Sequence, residues 1–171
     1  MCQERTEPNE QEELYREINC PAHGSSLKDA VLRSFRDGTF VEDRKCHSCH
    51  ITGRSIAKRP ISDVNKANFL TIIITRTVGF PDPTILRHDV TAVECVTLED
   101  MQGKKATYEP ICVIQHEGQI MNRRGDTAGH YMADVKSHKL NRWYLTLYND
   151  IPKFISPSQV TKRGYIILYS R

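Results

Sequence analysis

The chain is 171 residues long, 39% hydrophobic and 26% charged, a balance that suits one globular domain with its own core and excludes global disorder, collagen and coiled coil. Its net charge of +3 divides into −4 over residues 1–17 and +7 over the rest, a basic bias too scattered to suggest a nucleic-acid partner. No apolar run approaches the roughly eighteen residues of a membrane span, and no basic region followed by an apolar stretch opens the sequence, so no membrane contact is expected and residence should be cytoplasmic or nuclear.

Residues 1–13 are Glu, Gln, Asn and Pro with almost nothing apolar, which predicts a disordered acidic tail. From Leu14 to Arg171 the composition is globular. Ser26 followed three residues later by Asp29 predicts a helix start, with Leu27, Val31 and Phe35 on one stripe and Gly38 as the stop. Cys46-His47-Ser48-Cys49-His50 then forms a knuckle between short extended pieces. Phe69 to Thr75, rich in β-branched residues, predicts a buried central strand. Further strands are expected over Val90–Leu98, Tyr108–His116, His130–Lys136, Trp143–Tyr148 and Tyr165–Tyr169. Between them lie turn residues at Phe80–Pro83, Gly103–Lys105, Gly118–Gly129, Ser137–Asn141 and Asn149–Asp150. Consecutive strands with short polar connections and one early helix make the expected class α+β, built on a mainly antiparallel sheet.

Six cysteines in a chain with no secretory signal point to thiols or metal ligands rather than disulfides. Cys46-x-x-Cys49 has zinc-knuckle spacing but supplies two of the four ligands a structural zinc takes. His47, His50, or the Cys20-Pro-Ala-His23 pair would complete the sphere where the fold brings them close. Gly129-His130-Tyr131 draws attention for another reason: a histidine at a strand start after a glycine loop presents its imidazole at a sheet edge, within reach of a substrate.

Several segments taken together carry a resemblance. They are Tyr108-x-x-Ile111-x-Val113-Ile114-x-His116-x-Gly118, Gly129-His130-Tyr131-x-Ala133, Trp143-Tyr144, Tyr148-Asn149-Asp150 and Gly164-Tyr165-Ile166-Ile167-Leu168-Tyr169. In this order they closely resemble the closing part of the ubiquitin-specific proteases, with their UCH domain. Ser26-Leu27-Lys28-Asp29, the Cys46/Cys49 pair and Leu70-x-Ile72-x-Ile74-x-Arg76 match that family's middle section. The resemblance spans 14–171 and implies the palm and fingers of a papain-like cysteine protease fold.

In that family a cysteine attacks the isopeptide carbonyl after ubiquitin's last glycine, a histidine takes its proton, and an Asn or Asp orients the imidazole. By resemblance His130 is the base, and Asn149, or Asp150 as the alternative, is the orienter. Gly129 and Tyr131 would border the substrate, with Arg123 and Arg124 in the loop that closes over ubiquitin's tail. That tail itself carries arginines, so like charges meet there, with Asp126 the loop's one acid. The family's Asn-x-Gly-Asn-x-Cys box and thumb lobe do not occur in these residues, and none of the six cysteines has that context. The expectation is therefore a partial protease domain that is deubiquitinase-like but inactive by itself, with a non-catalytic module binding ubiquitin or a ubiquitinated protein as the alternative. No cofactor is required beyond an optional structural zinc. A base-bearing lobe without its partner should also expose an apolar face near His130, inviting dimerisation or a partner that supplies the missing lobe.

Overall fold

The computed structural model describes residues 15–37, 39–46, 49–57, 60–79, 83–120, 127–147 and 150–171. The acidic tail, Gly38, His47, Arg123, Arg124 and Asn149 lie outside the described residues.

Strand β4 (Phe69–Thr75) alternates half-exposed and buried residues, so that Leu70, Ile72 and Ile74 form one row of the core. β1 (Tyr15–Asn19) lies parallel to it on one side, and β12 (Gly164–Ser170) antiparallel on the other. The sheet continues through β8 (Lys105–Ile120), β9 (Thr127–Ser137), β10 (Arg142–Thr146) and β11 (Lys153–Ile155), with β7 (Val96–Glu99) also paired to β8. Every pairing except β1 with β4 is antiparallel. Two small hairpins, β2 (Thr39–Lys45) with β3 (Thr52–Ala57) and β5 (Thr77–Val78) with β6 (Thr84–Ile85), stand apart from it. The fold is α+β, as expected from the sequence. No described helix is long and apolar enough to cross a membrane.

Helix α1 (Leu27–Arg36) starts where the sequence indicates: the Ser26 hydroxyl accepts from the Asp29 N–H at 3.3 Å. It buries Leu27 and Val31 beside β1 and β7, covering one face of the sheet. Ile18, Ile72, Val113, Ile167 and Trp143 come from the sheet side of this core.

Three strand expectations need correction. Only Val96–Glu99 of the Val90–Leu98 segment is strand. Its first half is pinned as a loop, because the Val90 N–H donates to the Lys162 carbonyl at 2.7 Å while Val90 and Ala92 are buried. β10 ends at Thr146, short of Tyr148. Conversely, the described ends of the Gly118–Gly129 separator are ladder: Gly118 pairs Gly129, and pairing runs on to Ile120 opposite Thr127. His130 is thus the fourth residue of β9, opposite Glu117, rather than the first residue after a loop.

Arg76, the residue after β4, ties three segments together. It is 2% exposed, and its guanidinium donates to the carbonyls of Gly164 (2.9 Å), Leu86 (3.1 Å), His88 (2.9 Å) and Lys162 (3.1 Å). On the other side of Lys162, the buried Asp134 carboxylate accepts from the Thr161 N–H at 2.6 Å, and the Thr161 hydroxyl donates to Gln115 Oε1 at 2.6 Å. The approach to β12 is therefore held from both sides.

Two predictions follow from these anchors. Replacing Arg76 with Met leaves four carbonyls without their donor and should lower stability by about 3 kcal/mol or more, read from urea unfolding. Burial raises the Asp134 carboxyl above its usual range, against the opposing Thr161 N–H. The folded state therefore holds this proton to higher pH than the unfolded chain. Stability should fall as pH rises through that window, and Asp134→Asn should flatten the fall in melting temperature measured from pH 4 to pH 7. An unchanged slope would remove Asp134 as its source.

Candidate functional site

His130 stands on a stretch of β9 that is paired on one side only among the described residues. β8 borders it throughout, whereas the last β10 pair is Thr146 with Ala133. The imidazole is exposed and shares its face with Glu117 and Met132 by strand alternation. The expected sheet-edge presentation therefore holds, although its cause is the end of β10 rather than a glycine loop.

Tyr131 points to the opposite face and is 64% exposed. There it stacks near His116, directly across the ladder, with ring centroids 4.7 Å apart; His116 in turn meets Tyr165 edge-on at 5.9 Å. This ring cluster was legible only as separate matches in the sequence, and His116 and Tyr165 were not singled out as site residues. Tyr165 also lies 5.9 Å from the Arg76 guanidinium, and burial raises its phenol against the pull of that charge.

Two grooves flank this stretch. One, of about 240 Å³, runs between Arg76, Leu86, His116, Glu117, Met132 and Tyr165. The other, of about 370 Å³, lies along Tyr131, Ala133, Thr146, Leu147 and Asp150. Asp150 is exposed and belongs to the second groove, and no hydrogen bond joins it to His130. Its N–H instead closes a turn onto the Leu147 carbonyl at 2.8 Å. Gly129 is exposed next to His130.

None of the described cysteines is brought to His130. Cys112 is buried mid-strand, where burial raises its thiol and Asp134 adds to the effect. Cys20 does meet an imidazole, that of His88, with Sγ and Nε2 3.4 Å apart. The same nitrogen lies 2.6 Å from the Pro21 carbonyl. A carbonyl only accepts, so Nε2 carries the proton and cannot draw one from the thiol. Burial raises the Cys20 thiol, with Arg76 opposing. This pair is consequently not an activated nucleophile.

Cys46 and Cys49 lie at the turn of the β2–β3 hairpin, where the Cys46 N–H donates to the Ile51 carbonyl and the His50 N–H to the Cys46 carbonyl, both at 3.0 Å. Among the described residues, no three His, Cys, Asp or Glu side chains stand ready to hold a metal, so the structure adds no further ligand from Cys20, His23 or His50 to the knuckle.

No family model matches the chain, and no curated protein matches it. Solved structures do. A yeast SAGA DUB module containing a variant Sgf73 aligns over 90% of this chain with a TM-score of 0.66 at 16% identity. A SAGA DUB module of Ubp8, Sgf11, Sus1 and Sgf73 bound to monoubiquitin gives 0.65 at 17%, and another with a shortened Sgf11 gives 0.64 at 18%. Each alignment covers 34% of the matched chain, so this chain spans about a third of its length. At these identities the likeness is one of fold, and that fold is the one found in the DUB module.

Proposed function

We propose that residues 14–171 are the palm and fingers of a ubiquitin-specific protease domain, that the palm recognises ubiquitin's C-terminal tail beside His130 and Tyr131, and that these residues alone do not cleave it. The observation that carries the reading is that the segments 70–76, 108–118, 129–133, 143–144 and 164–169 lie on or at the end of strands of one sheet, in a fold like that of the DUB-module structures, with Gly129-His130-Tyr131 at its half-open edge. Ubiquitin is the partner by analogy with the monoubiquitin-bound neighbour.

In this reading His130 is the base and Asn149 its orienter. Both assignments rest on the resemblance, because Asn149 lies outside the described residues and β10 ends at Thr146. Asp150, the alternative, lines the groove on Tyr131's side. The ring cluster of Tyr131, His116 and Tyr165 would offer an aromatic surface beside which the tail could lie. A thiol and an oxyanion donor would come from a lobe not present in these residues, and two of the larger rate terms go with it.

The face behind Tyr131 supports the missing-lobe reading. Tyr131, Val135 (38% exposed) and Phe154 (62% exposed) continue across the sheet through half-buried Ile114, Tyr144 and Ile166. Such a contiguous apolar surface on one sheet face is the kind of surface a second body covers. It lies next to His130 but on the other side of the strand.

The test is turnover of a ubiquitin C-terminal fluorogenic substrate by the purified chain, with a ubiquitin-derived electrophilic probe alongside. The expected result is no turnover and no probe adduct at any cysteine. Iodoacetamide should label exposed Cys49 and Cys95 well before Cys20 and Cys112 at neutral pH. Probe labelling of one cysteine that is abolished by His130→Ala would overturn the account by identifying a nucleophile in this chain.

A further inference from the structure

We propose that the groove between Arg76, Arg87, His116, Arg163 and Tyr165 holds a peptide's free C-terminal carboxylate, so that this chain binds unconjugated ubiquitin in preference to ubiquitin joined through its last glycine. The inference rests on the reading above and adds to it the chemical state of the ligand.

The two grooves along β9 differ in charge. Three arginines, Arg76, Arg87 and Arg163, line the first against one acid, Glu117. The described lining of the second holds Asp150 and no lysine or arginine. Met132 borders both, and the rings of His116 in the first and Tyr131 in the second have centroids 4.7 Å apart. An extended chain spans about 3.3–3.6 Å per residue, so a tail passes from one groove to the other within about two residues. Ubiquitin's tail carries arginines and, when free, ends in a carboxylate. The arginines match the acidic groove and the carboxylate matches the cationic one.

The first groove has the donors a carboxylate needs. Arg76 is buried, and its bonded partners are four carbonyls and no carboxylate. They take four of its five N–H donors; among the described residues the remaining one, on Nη2, has no partner. Arg163 meets Asp89 at 3.6 Å with both side chains largely exposed, a water-screened pair that a ligand carboxylate can displace. Burial raises the Tyr165 phenol while the charges of Arg76 and Arg87 oppose it, so both cations act within reach of the ring cluster.

A carboxylate accepts from a guanidinium with two oxygens and a full charge. An isopeptide at the same glycine offers one neutral carbonyl oxygen, and its N–H would face further donors. The groove therefore separates the two states of the tail by charge as well as by hydrogen bonding.

The test compares intact ubiquitin with ubiquitin whose C-terminal carboxyl has been converted to the primary amide, each isotope-labelled and titrated with the full chain by NMR. Amidation should weaken binding at least tenfold. Arg87→Gln with Arg163→Gln, both exposed positions, should bring the acid down to the amide's affinity and leave the amide's own affinity unchanged. Lys139→Gln, an exposed cation on the turn between β9 and β10, should leave the preference intact. Equal affinities for acid and amide would overturn this inference while the tail-binding reading stands. So would a preference that survives the double change or that Lys139→Gln removes as well. Binding of neither form would overturn the tail-binding reading and this inference with it.

Discussion

The architecture around the candidate site depends on how one buried cation is satisfied. Arg76 has no carboxylate among its bonded partners; four backbone carbonyls from two separate segments surround it instead. A charge taken out of water is costly unless its hydrogen-bonding capacity is met, and Arg76 meets it only when residues 86–88 and 162–164 are both in place. The planar guanidinium, with donors in a fixed fork, suits this in a way a lysine ammonium would not. Because Gly164 and Lys162 lead into β12 and Leu86 precedes the loop at Val90, Arg76 also sets where Tyr165 and His88 stand. The ring cluster beside β9 and the Cys20–His88 contact both inherit their geometry from it.

In the proposed reading the candidate site is half of an active centre. An exposed imidazole, a cluster of tilted rings and two grooves are assembled on one ladder, yet the described thiols are elsewhere: Cys112 within the sheet, Cys20 against a protonated nitrogen, Cys46 and Cys49 at the β2–β3 turn and Cys95 at the surface. Acyl-transfer chemistry by a thiol needs nucleophile, base and oxyanion donors within a few ångströms. The apolar sheet face around Tyr131 is where a second body would recover the hydrophobic free energy left exposed.

Much of the framework was legible because it rests on local rules. The β-branched run at Phe69–Thr75 could hardly be anything but a central strand, and Ser26 marks the helix start through one hydrogen bond to the Asp29 N–H. Where long-range packing decides, the sequence was silent. β1 has little apolar content, and Arg16 is buried against the Phe35 ring, with its guanidinium 4.3 Å from the centroid. The ladder beyond His116 runs through Gly118 and Gln119, which have weak strand preference by themselves and are ordered by their partners Gly129 and Ala128. Arg76 reads from sequence as a strand terminator, and nothing local reveals that it will be buried. At the site, the Gly-His-Tyr motif and its neighbours were visible in order, but the separation of Asp150 from His130 onto different sides of the strand depends on register. Cys20 and His88 lie 68 residues apart, beyond any spacing rule.

The central claim is that this sheet engages ubiquitin's tail at Tyr131 without cleaving it. The direct measurement is a titration of isotope-labelled ubiquitin with the unlabelled chain, followed by NMR. The account predicts shifts concentrated in ubiquitin's C-terminal residues, lost when Tyr131 is replaced by Ala, with the ubiquitin intact at the end of the titration. Unchanged ubiquitin spectra at excess chain, or shifts away from the tail that persist in Tyr131→Ala, would contradict it.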